Sequence, residues 1–216
     1  MALLDLLVPP ACSGCGAYGE ALCRRCRASF RPAGSARDRF VAPDPATVIG
    51  DELEVAVAAF AYEGTLRRAL ARLKYGGAAR LAGPIADAAA PVLGPFVALN
   101  VGAALVPVPV HRDRLRQRGY NQAALLARRL GLELNRPISD VLARARPTGL
   151  QHRLNRAERL RNLHDAFALR SDARAPPHAI LVDDILTTSA TLEACASVLR
   201  DAGCQRVVAI AIAREL

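Results

Sequence analysis

Tryptophan is absent, methionine occurs once, and aromatic side chains number only nine in 216 residues, five Phe plus four Tyr. Such scarcity, without clustering, argues against the stacked-ring platforms on which many single-strand nucleic-acid binders rely. Lysine is rarer still, since Lys74 is the single lysine among 29 basic residues. No unbroken apolar run reaches the roughly 18 residues of a membrane span. The Leu-rich start from Met1 to Pro10 lacks a basic leader and a small-residue cleavage site, so it does not read as a secretion signal. The expectation is a cytoplasmic protein with no membrane span and no internal repeat.

What is present is the composition of a folded chain. Hydrophobic residues make up 52% and charged residues 23%, over a length that supports one ordinary core and a small appendage. The Pro-, Ala- and Arg-rich stretch from Pro32 to Pro45 reads as a linker, dividing an N-terminal module, residues 1–45, from a main domain, residues 46–216. The net charge of +9 is concentrated, because fifteen Arg stand against six Asp and Glu between His111 and Arg174, an excess equal to the whole imbalance. A positive field of this kind attracts phosphate, on a small molecule or on nucleic acid. Arginine replacing lysine on solvated faces gives the same count.

Cys12-x-x-Cys15 and Cys23-x-x-Cys26 place two thiol pairs in a glycine-bearing stretch with Gly14, Gly16 and Gly19. Four thiolates at this spacing suit a tetrahedral Zn²⁺ whose coordination is closed, hence a structural site. A disulfide framework is out of place in a reducing compartment, and a redox Cys-x-x-Cys usually occurs once beside a βαβ unit. Arg24, Arg25 and Arg27 around the second pair keep a nucleic-acid-binding use open. Cys195 and Cys204 read as small buried thiols.

In the main domain, Glu54 to Tyr62 predicts a strand, followed by a helix capped by Thr65 with Leu66, Ala69, Leu70 and Leu73 as its apolar stripe. Lys74 falls at the end of that helix, as a partner of the helix dipole or as a ligand group. A second helix is predicted over Leu81 to Leu93 and a buried strand over Ala103 to Val108, whose exit is stiffened by Pro107 and Pro109. The run from Arg112 to Gln122, with Arg118, Gly119, Asn121 and Gln122 at its end, precedes a helix over Ala123 to Leu130. Guanidinium groups beside a helix N-terminus make an anion site, and a solvated basic turn is the plain alternative. Arg144 to Phe167 carries Arg146, Thr148, Gln151, Arg159, Asn162 and His164 at irregular spacing, and reads as a loop with a short helix. Such a loop closes over a ligand or is simply exposed, and His164 is read as structural.

The densest signal lies near the C-terminus, in Ala179-Ile-Leu-Val-Asp-Asp-Ile-Leu-Thr-Thr-Ser-Ala-Thr191. Ala179 to Val182 are apolar without alternation, as in a parallel strand covered on both faces, so Asp183 and Asp184 are expected at its carboxyl end. Open α/β sheets bind ligands there. Thr187, Thr188, Ser189 and Thr191, with the free N–H groups of the helix that follows, form a phosphate cradle. The ordinary alternative is a strand, an Asp-rich turn and a Thr cap.

This segment resembles the signature of type I phosphoribosyltransferases. The resemblance implies an α/β fold, a parallel sheet flanked by helices, in which Asp183 and Asp184 meet the ribose 2′- and 3′-hydroxyls of 5-phosphoribosyl-1-pyrophosphate. It places the 5′-phosphate on Thr187, Thr188, Ser189, Ala190 and Thr191. One position departs from the pattern, since glycine commonly stands where Ser189 is. Taken with the cysteine module, Leu73-Lys-Tyr-Gly-Gly77, Val106-Pro-Val-Pro109, Arg118-Gly-Tyr-Asn-Gln122 and Arg144-x-Arg-x-Thr-x-x-Gln151, the chain resembles the ComF family of competence-associated, phosphoribosyltransferase-like proteins along nearly its whole length. That resemblance implies a zinc-ribbon-like N-terminus, a pyrophosphate-side loop within Pro107 to Gln122, a flexible loop within Arg144 to Asn162 and a pocket rim at Lys74 and Tyr75. It further implies Mg²⁺ bridging the sugar and pyrophosphate, phosphoribosyl transfer to an acceptor, and a link to DNA uptake. A non-enzymatic accessory role, with single-stranded DNA or a helicase as partner, is the other function it suggests.

Overall fold

A computed structural model describes residues 9–33, 40–41, 52–144, 166–187 and 189–215. Strands β2 (Ala56–Ala61), β7 (Arg206–Arg214), β6 (His178–Leu186) and β3 (Ala104–Pro107) lie parallel in that spatial order, with β1 (Phe40–Val41) antiparallel at the β2 edge. The fully buried runs of β2, β6 and β7 follow from helices covering both faces of the sheet. On one face, Val57, Ile180, Val182, Val208 and Ile210 pack with helices α2 (Gly64–Tyr75), α3 (Ala82–Leu99) and α5 (Gln122–Glu133). On the other, Ala58, Leu181, Ala209 and Ala211 meet α6 (Ala190–Asp201) and the antiparallel pair β4 (Leu142–Arg144) and β5 (Phe167–Leu169). The predicted α/β architecture with an appended four-cysteine module is what the chain adopts.

Local expectations need four corrections. Helix α2 starts at Gly64 on an extended Glu63, so Thr65 lies inside its first turn, and its Oγ1 accepts from Arg68 Nη2 at 3.3 Å. Helix α3 does not stop at Leu93 but runs through Pro91 and Pro95 to Leu99, because Leu93, Phe96 and Val97 continue one buried stripe that outweighs the missing donors. With its leading turn the segment Ala79–Leu99 is long and apolar enough to cross a membrane, which the unbroken-run criterion overlooked; half of it is buried in this core. The basic run after β3 forms a helix, α4 (Arg112–Arg118), capped by His111 and ended by Gly119 at φ 82°, a left-handed turn that glycine adopts freely.

The cysteine module, with α1 (Arg24–Ala28), shares the core of the α2 face. Cys12, Leu22, Cys26 and Phe30 are buried together with Leu66 and Leu70, and Phe30 meets Phe60 edge-on with centroids 5.2 Å apart. Part of the stretch read as linker, together with Arg31 just before it, adds to the sheet edge: Ala61 N–H donates to Arg31 O at 2.8 Å, Ala33 N–H to Ala59 O at 3.2 Å, and Phe40 and Val41 pair with β2.

Candidate active site

β3 ends where its register meets Val182, whereas β7 accompanies β6 through Leu186. The acids, expected to emerge at the end of the strand, instead lie within it, supported by β7 on one side and open on the side that β3 has left. A cavity of about 350 Å³ occupies that opening, bordered by Val108, Pro109, Asp183, Asp184, Thr187 and Thr191. It stands at the carboxyl ends of the parallel strands, where crevices in open α/β sheets form.

Successive strand residues face opposite sides, so the two carboxylates diverge. Asp184 continues the row of Ile180 and Val182 toward α2, is 2% exposed, and has Lys74 Nζ 3.3 Å from its Oδ2. That separation is a charge contact; the same oxygen accepts no hydrogen bond from the described residues. Lys74, in the last turn of α2, is thus the counterion of an acid over a hundred positions away, a role between the two that sequence left open. Asp183 points to the α6 side, and its Oδ1 accepts from the Asp184 backbone N–H at 2.8 Å. Burial, reinforced by the Asp184 charge, holds the Asp183 carboxyl well above the ordinary carboxylate range. An acid raised in this way calls for a cation.

The same cavity also has a cationic part. Arg114 and Arg144 border the cavity with Gln122, Tyr62, Tyr75 and Glu215. Burial, together with nearby Arg114, pulls the Arg144 guanidinium below its ordinary value although Asp183 acts the other way, so this part of the cavity favours an anion. Arg114 and Arg144 were not singled out from sequence, although Arg144 begins the Arg-x-Arg motif; the sign that it reaches the site is the β4 pairing, a non-local feature.

The other predicted groups divide. Arg118 engages Gln122 Oε1 and lies over the Tyr75 ring, 5.6 Å from its centroid, at the cavity rim. Gly119 and Asn121 build the turn: the Asn121 carboxamide caps α5 through Ala123 N–H at 3.0 Å and donates to Val108 O at 3.0 Å. In the hydroxyl-rich bend, Thr187 and Thr191 border the cavity, while Ser189 is buried and Ala190 opens α6, both outside its lining. Ser189 sits at φ 0° and ψ −8°, short of the left-handed region in which glycine would be favoured over serine. Thr188, Arg146 and Arg159 lie outside the described residues, as do Thr148, Gln151, Asn162 and His164.

In the N-terminal module the sulfurs of Cys12, Cys15, Cys23 and Cys26 all lie within 4.8 Å of one another. Backbone N–H groups of Gly14 and Cys23 reach Cys12 Sγ at 3.4 and 3.3 Å. Burial opposes a thiolate at Cys12, yet those amides outweigh it and lower the thiol; at Cys26 burial and the other thiols raise it. The cluster can hold a thiophilic metal ion such as Zn²⁺, with amides oriented toward a ligand sulfur. Gly14 is required for closeness, since a Cβ there would stand 2.6 Å from Cys26 Sγ and from Thr65 Cγ2.

No family model matches the chain. Curated proteins similar to about half of it include competence protein F of Haemophilus influenzae, 34% identical over 119 residues, covering 54% of this chain and 52% of that protein; DNA utilization protein YhgH of Escherichia coli, 34% identical over 113 residues, covering 52% and 49%; and competence protein ComFC of Streptococcus pneumoniae, 31% identical over 109 residues, covering 50% and 47%. The chain matches about half the length of each.

Proposed function

We propose, from the similarity of half of this chain to competence protein F, ComFC and the DNA utilization protein YhgH, that the acid cavity binds 5-phosphoribosyl-1-pyrophosphate with a divalent cation and serves phosphoribosyl transfer. One observation carries the reading: a single cavity brings together two acids, one met by Lys74 and the other raised by burial, and two arginines, Arg114 and Arg144. A sugar with vicinal hydroxyls, a phosphate and a metal-bound pyrophosphate matches that polarity.

The residues fit Mg²⁺ by their chemistry. Asp184 Oδ2 is buried without a hydrogen bond, and burial with the Asp184 charge raises the Asp183 carboxyl, so added positive charge between them would favour both carboxylates. Mg²⁺ takes one or two carboxylates and completes its shell with substrate oxygens and water. When bound it would neutralise pyrophosphate charge. The chain's own residues do the rest. Asp183 and Asp184 orient the ribose hydroxyls, Thr187 and Thr191 with the N–H groups opening α6 receive the 5′-phosphate, and Arg114 and Arg144 face the pyrophosphate. The acceptor attacks C1, the bond from C1 to the pyrophosphate oxygen breaks, pyrophosphate leaves with the bonding pair, and the acceptor loses a proton to solvent. Positioning and electrostatic stabilisation supply the rate, without a covalent nucleophile. Isothermal calorimetry tests this reading: saturable, Mg²⁺-dependent heat in the parent chain, absent from Asp183→Asn with Asp184→Asn, is expected. Equal heats in both proteins sink the acidic-cradle assignment.

A second reading is favoured by the exposed surface of the cysteine module, where Tyr18 is 77% exposed and Arg24 and Arg25 are exposed on α1. One ring and two guanidinium groups suit single-stranded DNA or an acidic partner such as a helicase segment. Affinity for a single-stranded oligonucleotide should fall steeply with salt and drop in Arg24→Gln with Arg25→Gln. An unchanged affinity in that variant defeats this reading and leaves the first intact.

A further inference from the structure

The acid cavity continues beyond Arg144. Pro109, Val110 and Arg144 border both it and a larger cavity of about 750 Å³ between α4, the start of α5 and the β4–β5 pair. Small-molecule sites have volumes of about 300–1,000 Å³. Among the described residues, Arg112, Arg128 and Arg170 line this groove with Arg144, against a single acid, Asp140, which Arg170 engages at 3.0 Å. Among the described residues, neither Arg112 nor Arg128 has an ion-pair partner. Leu115, Leu125, Leu142 and Leu169 make the remaining wall largely apolar.

The frame of the groove is tied in place by its own polar groups. Arg170 Nε donates to Leu142 O at 3.1 Å, and Tyr120 Oη donates to Leu73 O at 2.6 Å. Asn121 spends both ends of its carboxamide on the backbone. The cations left to meet a ligand are Arg112 and Arg128, set beside leucines rather than stacked rings. That lining fits a compact molecule with an apolar body better than a run of nucleobases, which would want aromatic platforms.

We propose that this groove is an anion-accepting subsite for a small organic molecule with an apolar body and a phosphate or carboxylate. The anionic end meets Arg112 and Arg128, and the body points past Arg144 toward the acid cavity. As the place of the acceptor, the groove rests on the phosphoribosyl reading; as an anion site it stands without it.

The test uses the full chain and 1-naphthyl phosphate, a fluorescent aryl phosphate without ribose hydroxyls for Asp183 and Asp184 to hold, with neutral 1-naphthol as its control. Binding of the phosphate, roughly tenfold weaker binding of naphthol, and a loss of roughly tenfold in Arg112→Gln with Arg128→Gln are expected. Both arginines are exposed, so a circular-dichroism melt should match the parent. Asp183→Asn with Asp184→Asn should leave naphthyl phosphate binding intact. Equal binding of phosphate and naphthol, indifference to the arginine pair, or loss in the acid pair overturns the proposal. Displacement of the probe by a short single-stranded oligonucleotide at lower concentration also overturns it, making the groove a nucleic-acid track. If naphthyl phosphate binds as expected but phosphoribosyl pyrophosphate binds nowhere, the sugar-phosphate reading falls while the groove keeps its anion.

Discussion

The cysteine module and the acid cavity each crowd ionisable groups together, and the chain arranges them in opposite ways. Four sulfurs converge within 4.8 Å, partly beneath the protein surface, with backbone amides turned toward one of them. Two neighbouring carboxylates instead diverge onto opposite faces of the sheet, one met by Lys74 and the other left raised at the edge of an opening. Convergence with no open position describes a group of ligands that asks for one ion and then serves the fold. Divergence around an empty volume describes charges whose full set of partners arrives with a ligand.

The comparison breaks most visibly at the sulfurs. Cys12→Ser should lose one bound Zn²⁺ per chain by elemental analysis and at least about 4 kcal/mol of unfolding free energy, because the module's Phe30 and Leu22 share the α2-face core. Retention of both metal and stability would show the cluster to be idle thiols. Next in size is Lys74→Met, which strands Asp184 at 2% exposure without its counterion. A loss of about 3 kcal/mol in denaturant titration is expected, and an unchanged midpoint would mean that Lys74 and Asp184 do not support each other. Gly14→Ala sharpens the role of closeness: a Cβ at 2.6 Å from Cys26 Sγ must displace its neighbours, at about 1–3 kcal/mol and with altered Co²⁺ charge-transfer spectra.

The smallest effect has the opposite sign. Burial and the Asp184 charge raise the Asp183 carboxyl, so the folded chain keeps a proton that the unfolded chain has released. Stability contributed by this group therefore declines as pH rises from the ordinary carboxylate value, about 4, toward the folded-state value. Asp183→Asn removes that decline. Its melting temperature should exceed the parent's at neutral pH and converge with it in acid; a lower melting temperature at neutral pH would mean that the charge already has its partner.

Much of this frame was legible in the sequence because its signals are local. An unalternating apolar run predicts a doubly covered parallel strand, and β6 contains Ala179 to Val182 as expected. Two Cys-x-x-Cys turns determine a cluster with little help from the rest of the chain. The misses share a distant cause. β6 continues past the acids because β7 continues beside it, and that extension, through the alternation of strand faces, is what separates Asp183 from Asp184. Lys74 finds a partner that no window around Lys74 contains. Helix α3 passes Pro91 and Pro95 because burial of its apolar stripe overrides local propensity.

The most direct test of the cavity's function follows the carboxylates themselves. With aspartate labelled by ¹³C at Cγ, paramagnetic Mn²⁺ is titrated with and without 5-phosphoribosyl-1-pyrophosphate, and the signals are assigned through the Asp183→Asn and Asp184→Asn variants. Selective broadening of the Asp183 and Asp184 resonances that requires the sugar pyrophosphate is predicted. Broadening confined to other aspartates, or two sharp signals from this pair under saturating ligand and metal, would contradict the account.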